Sequence, residues 1–268
     1  MFYQKNSISA NLLRFNTIFT HKIVPMELKR LNKAISETGF CSRRKADRYI
    51  DDGKVKVNGE LAGLGVKVTA TDKIEVDGQI ITKQVENIYL AFHKPVGITC
   101  TTDTEIPGNI IDYINYPERI FPIGRLDKPS EGLIFMTNDG DIVNKILRSK
   151  NNHEKEYVVS VKQRITPTFI KQMSNGVAIL DTVTKKCKVR MLNNYTFNIT
   201  LTQGLNRQIR RMCKQLNYDV SKLKRVRIMN IKLSKLKKGK YRYFTKNELE
   251  EINEMIADSS KTMEASVD

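Results

Sequence analysis

FPIGRLDKPSEGLIFMTNDGD, residues 121 to 141, is the stretch that decides the fold. Leu133 to Thr137 is a short apolar run and reads as a buried strand. Asp139-Gly140 is a turn signal that closes it. Ahead of the strand a single carboxylate, Asp127, stands between two cations, Arg125 and Lys128. Gly124 and Gly132 flank this group and permit a tight turn or a close backbone approach. An acid in a loop that feeds a core strand is a common way to hold a reactive side chain on a rigid scaffold. The same string also suits a solvated turn with weak ion pairs.

Helical and strand patterns extend from this stretch in both directions. Downstream, Ile142, Val143, Ile146 and Leu147 form one apolar helix face. A strand follows in the second half of His153 to Val161, with Tyr157 at its entrance, where a tyrosine is more often a packing residue than a catalytic one. Thr166-Pro167 starts a helix that Gly176 stops. Strands are expected near 186–189 and 196–202, the latter with Phe197, Ile199 and Leu201 alternating. From Arg207 to Leu216, Arg207, Arg210, Arg211 and Lys214 share one helix face, and Ile209, Met212, Cys213 and Leu216 the other. No acid interrupts the cationic face, and Gly204 and Asn206 are expected to supply the turn and the cap. Such a face suits phosphate. The cation-rich, acid-free run from Lys222 to Arg242 extends it, which fits a polymer. Thr245 to Glu248 is a capping box that opens a terminal helix carrying Leu249, Ile252 and Ile256.

Upstream, Tyr89 to Phe92 reads as a strand stopped by Pro95 and Gly97, and Ile110 to Ile114 as a short helix. Residues 26–83 read as a separate small module. Leu28, Leu31 and Ile35 recur at helical spacing toward Gly39, and Ser42 caps a second helix that Gly53 closes. Its exposed side carries Arg43, Arg44, Lys45 and Arg48 without aromatics, so binding there is expected to rest on phosphate contacts and to weaken with salt. Asn58-Gly59 and Asp77-Gly78 are hairpin turns. A short polar linker spans 83–87. Residues 1–25 are expected to be an extension ahead of a functional start at Met26, with only a loose likeness to a transit peptide, and 258–268 a frayed tail.

The composition narrows the partner. A net charge of +17 over 268 residues favours a polyanion, and no apolar run is long enough to span a membrane, so nucleic acid is the expected partner. Cys41, Cys100, Cys187 and Cys213 are scattered and do not cluster with His21, His93 or His153. Free thiols, a reducing cytoplasmic location and no metal site are therefore expected, with the protein acting as a monomer.

Several motifs in order then resemble one family. His93-Lys94-Pro95-Val96-Gly97, Gly124-Arg125-Leu126-Asp127 and Gly204 to Met212 together resemble the RsuA/RluB/RluE/RluF group of pseudouridine synthases. Gly132 to Arg148, His153 to Tyr157 and Thr182 to Val189 resemble its RluF branch most. The module carrying Arg30 to Ile35 and Cys41 to Asp47 resembles the RNA-binding domain named after the fourth small-subunit ribosomal protein. The resemblance covers about 28–256 and implies an α+β fold: that small domain, then, over 88–257, a mixed, mainly antiparallel sheet flanked by helices. It implies isomerisation of a uridine in 23S ribosomal RNA near the peptidyl transferase centre, without cofactor or metal. A tyrosine tRNA anticodon is the alternative substrate, and a non-catalytic assembly factor the alternative role. By the same resemblance Asp127 is the essential carboxylate, either attacking the sugar or taking a proton from its second carbon. Tyr157 packs on the flipped base, Arg210 pairs with Asp127 and Arg125 fills the gap the base leaves. Arg125, Lys128 and Arg210 would favour an ionised Asp127, and a guanidinium could grip it with two prongs.

Overall fold

A computed structural model describes residues 28–81, 86–147 and 152–257. The expectations for residues 1–25, for most of the linker and for the tail lie outside these.

The small module is built as its turns require. Ser42 caps Arg43–Asp51 by accepting from the Lys45 amide at 3.2 Å. Asn58 and Gly59, with φ of 55° and 92°, join Val55–Val57 to Glu60–Leu61. Asp77 and Gly78 do the same between Ile74–Val76 and Gln79–Ile81. Leu31, Ile35, Ala46, Ile50, Val55 and Val76 are buried together beneath the sheet. Leu28 departs from the expectation. It is 59% exposed, and Lys29–Arg30 pairs as a strand with Lys67–Val68, so the first helix begins only at Leu31.

The larger part is organised by a sheet of nine strands among the described residues. In spatial order its main path runs Lys188–Asn193, Thr196–Leu201, Lys155–Val161, Val220–Ile228, Glu131–Thr137, Tyr89–Lys94 and Tyr241–Tyr243. Phe121–Ile123 pairs alongside Glu131–Thr137, and Ile231–Lys232 alongside Val220–Ile228. Every pairing is antiparallel except that of Val220–Ile228 with Glu131–Thr137. The α+β fold with a mixed, mainly antiparallel sheet is thus as expected.

Helices explain why Glu131–Thr137 is apolar on both faces. Leu133 and Phe135 pack with Ile142 and Ile146 of Gly140–Leu147 and with Ile252 of Lys246–Met255. Ile134 and Met136 pack on the other side with Ile110 and Ile120. At the other end of the sheet, Phe197, Ile199 and Leu201 alternate inward to meet Phe169 and Met173 of Pro167–Asn175 and Met212 of Gln208–Gln215. Thr245 and Glu248 form the expected reciprocal capping box. A Lys33–Asp141 ion pair at 2.7 Å joins the small module to the larger part.

The run from Lys222 to Arg242 corrects the sequence reading. Its first part is a central strand. Arg227 pairs with Glu154 and Glu156 at 2.9 and 2.8 Å, Lys238 with Glu131 at 2.6 Å, and Arg242 with Glu248 at 2.7 Å. These acids lie outside the run, so the charge of Arg227, Lys238 and Arg242 is offset locally, while Lys222, Lys232, Lys235, Lys237 and Lys240 stay exposed. The basic surface is correspondingly smaller than the sequence suggests.

Candidate active site

Asp127 sits where Phe121–Ile123 turns back into Glu131–Thr137. Backbone bonds hold the loop. Ser130 N–H donates to the Asp127 carbonyl at 2.9 Å, and Gly97 N–H to the Lys128 carbonyl at 2.8 Å. Beneath them Lys94 is fully buried, and its Nζ donates to the Pro95 and Ser130 carbonyls at 2.7 and 2.9 Å. Burial lowers the pKa of this ammonium, against the pull of Cys100 and Asp127. Lys94 is thus a strut between the two loops, a placement no sequence pattern distinguishes from a surface lysine.

The helix Gln208–Gln215 faces this loop, but its start differs from expectation. Arg207 occupies the N-cap in the left-handed region, φ 49°, with no side-chain cap. Gln208 Oε1 instead accepts from the Leu205 amide at 3.0 Å. Asn206, expected to cap, accepts from Arg211 through its carbonyl at 3.0 Å and its side-chain oxygen at 3.2 Å. The four cations do not act as one row. Arg207, Arg211 and Lys214 are exposed, with Lys214 3.3 Å from Asp219, whereas the Arg210 side chain is 14% exposed and turned inward.

Arg210 meets Asp127, though not with two prongs. Its Nη2 donates to the Pro129 carbonyl and Ser130 Oγ, both at 3.0 Å, and Nη1 reaches the Val220 carbonyl at 3.5 Å. Only Nε faces the Asp127 carboxylate, at 3.9 Å, and that buried N–H has no hydrogen bond. The fork therefore grips the loop backbone and presents one N–H side to the acid. Burial depresses the guanidinium pKa, while Asp127 opposes that shift.

These groups line a cavity of about 480 Å³, within the usual range for small-molecule sites. Asp127, Arg125, Lys128, Tyr157, Arg207 and Arg210 all reach it, so most of the expected site converges. Arg211, Lys214, Arg43, Arg44, Lys45 and Arg48 do not line it and are exposed elsewhere. Tyr49 amends the aromatic-free reading of the cationic face in the small module: Lys45 Nζ lies 5.7 Å from its ring. Sequence reasoning also missed two cavity cations, Lys155 and Arg225, which looked like members of charged surface strings.

Residues 88–215 match the family model of RNA pseudouridylate synthases, and residues 29–74 the S4 domain. The chain is 53% identical over 240 residues to the dual-specificity RNA pseudouridine synthase RluF of Escherichia coli (strain K12), a match spanning 89% of this chain and 83% of that one. This protein belongs to the RNA pseudouridine synthase family. The S4 match bears out the small RNA-binding domain, and the RluF match the branch that its motifs resemble. The synthase is also 35% identical to ribosomal large subunit pseudouridine synthase B of Bacillus subtilis (strain 168), across 87% of this chain and 99% of that one. A solved structure described as a pseudouridylate synthase superposes with a TM-score of 0.62 at 30% identity, covering 83% of this chain and 99% of its own. The synthase is accordingly an isomerase acting on RNA. Among its described residues no helix is long and apolar enough to cross a membrane.

Proposed function

We propose that the synthase converts a specific uridine of 23S ribosomal RNA, near the peptidyl transferase centre, to pseudouridine. The observation that carries this reading is one carboxylate, Asp127, set among cations in a cavity of about 480 Å³ beside a half-buried tyrosine. Asp127 acts on the sugar of a flipped-out uridine, Tyr157 packs on the base, and Arg125 fills the gap left in the RNA stack. Flipping costs a few kcal/mol. Phosphate contacts from Lys128, Arg207, Arg211 and Lys214, and from Arg43, Arg44, Lys45 and Arg48 on the S4 domain, offset that cost without reading sequence. In this division of labour residues 26–83 bind RNA and 88–257 carry the chemistry, in the cytoplasm and as a monomer.

Arg210 positions the acid through the loop it grips. Arg210→Lys is expected to lower kcat roughly 100-fold, because a lysine cannot bond Pro129 and Ser130 while facing Asp127. Single-turnover conversion at saturating RNA measures this, and a loss below tenfold would remove the positioning role.

Mapping pseudouridine in RNA from cells lacking the gene tests the substrate. The expected outcome is an unmodified uridine near the peptidyl transferase centre, restored by the purified enzyme. The dual specificity of the RluF relative favours a second RNA substrate, and a tRNA such as a tyrosine tRNA anticodon is the alternative proposed here. A site lost from tRNA alone would transfer the assignment there. Unchanged RNA in both classes would overturn it.

A further inference from the structure

Two buried cations in the cavity wall, Lys155 and Arg225, lack a counter-ion. Lys155 is 8% exposed and Arg225 4%. The neighbours of Arg225 along its strand, Lys224 and Arg227, pair with Glu131 at 3.8 Å and with Glu154 and Glu156. Among the described residues neither Lys155 nor Arg225 has a carboxylate within ion-pair range. Lys155 Nζ donates to the His153 carbonyl at 3.3 Å. Arg225 spends Nε on the Leu133 carbonyl at 2.6 Å and reaches the Arg125 carbonyl with Nη1 at 3.4 Å, but its Nη2 is buried with no partner.

Uncompensated buried charge is costly, and an unmade buried donor adds to that cost. Burial and then the nearby Arg225 push the Lys155 pKa down to about 8, as expected for a cation held without an acid. Such a wall is complementary to an anion that arises inside the cavity. The strand register says which anion. Arg225 lies directly opposite Tyr157, its guanidinium 5.9 Å from the ring centroid, and Lys155 stands two residues before Tyr157 on the same strand face. Both cations therefore border the residue that packs on the base.

When the bond from C1′ to N1 breaks, the electron pair stays on N1. The detached uracil is then an anion, with charge spread over N1, O2 and O4. After the ring turns, C5 supplies the pair for the new bond to C1′, C5 loses its proton and N1 gains one, so nothing is oxidised or reduced. We infer that Arg225 Nη2 and the Lys155 ammonium are contact groups for this detached ring, donating to its carbonyl oxygens while it turns. The inference rests on the roles proposed above for Asp127 and Tyr157.

Lys155→Met removes the charge at similar length and tests it. The expected result is a kcat about 100-fold lower with KM for RNA unchanged, because the anion exists only after cleavage. In the wild type kcat falls as pH rises past about 8, where the ammonium is lost, and this limb is absent from the variant. The titratable and charged groups around Lys155 in that titration are His153 and Tyr157 on its own segment, Arg225 on the neighbouring strand, and Cys100, Arg125, Asp127, Lys128, Arg207 and Arg210, which line the same cavity. A kcat within about threefold of wild type overturns the inference. So does a raised KM at constant kcat, which would mark an RNA phosphate as the anion, or a lower kcat that keeps the alkaline limb. If Lys155→Met does not fold, Lys155→Gln is judged by the same criteria. Wild-type enzyme that is inert on 23S RNA but active on tRNA refutes only the target assignment, and the comparison is then made on tRNA. An active Asp127→Asn enzyme refutes the reading beneath the inference.

Discussion

Asp127→Asn is expected to leave the protein folded and to lower uridine conversion by at least about 1,000-fold, equivalent to roughly 4 kcal/mol of transition-state stabilisation. The two halves of this outcome come from different parts of the loop. The loop is held by the backbone bonds at Asp127, Lys128 and Ser130, by Lys94 and by the fork of Arg210. In direct contact the carboxylate adds only the 3.9 Å approach of Arg210 Nε, with a longer-range pull on the buried Lys94 ammonium, and it is 34% exposed. Its replacement by a carboxamide of equal shape should therefore shift stability by no more than about 0.5 kcal/mol. A carboxamide is neither a competent nucleophile toward the sugar nor a base, so chemistry is lost while the cavity persists. Single-turnover conversion on unmodified RNA, read beside a thermal melt, separates the effects. Conversion within tenfold of wild type would exclude Asp127 from the reaction.

Gly132→Ala is expected to be the most disruptive small change in the catalytic domain. Gly132 has φ of 121°, a region that residues with a Cβ rarely adopt, and it is the register partner of Arg225 across the parallel strand pair. A Cβ at Gly132 would collide with the Arg225 backbone oxygen and amide nitrogen. Relief requires the strands to part, which pulls Arg225 from the Leu133 and Arg125 carbonyls and disturbs the loop that carries Asp127. Strain and lost pairing together should cost roughly 3–5 kcal/mol, near the top of the range for single substitutions. For a domain of this size that lowers Tm by roughly 10 °C. Gly204→Ala is the control, because nothing lies within 4 Å of a Cβ there and the backbone φ is not positive. Equal melting temperatures for the two variants would show that the close approach at Gly132 does not limit stability.

Asp127 was legible in the sequence because its signals are local: flanking glycines, neighbouring cations and an apolar strand directly after it. The helix from Gln208 was legible in its apolar stripe but not in its cationic one. Periodicity assigns a face but not a depth, so Arg210 could not be told from the exposed Arg207 and Arg211. Lys94, Lys155 and Arg225 were illegible as site groups for the same reason. Each belongs to a charged or polar string, and each is buried only because a distant strand or loop covers it.

By itself the sequence determined the capping box at Thr245, the Ser42 and Thr166 caps, the hairpins at Asn58-Gly59 and Asp77-Gly78, the buried alternation of Phe197, Ile199 and Leu201, and the family. Caps and turns are settled by hydrogen bonds and φ preferences within about four residues, so a short window contains their physics. Only the tertiary structure decided which cations meet acids and which face the cavity. Arg227 finds Glu154 and Glu156 more than 70 residues back along the chain, while Arg225, two residues earlier, finds Tyr157 and carbonyls instead. Strand pairing sets that difference, and an electrostatic environment depends on neighbours in space, which sequence distance does not report.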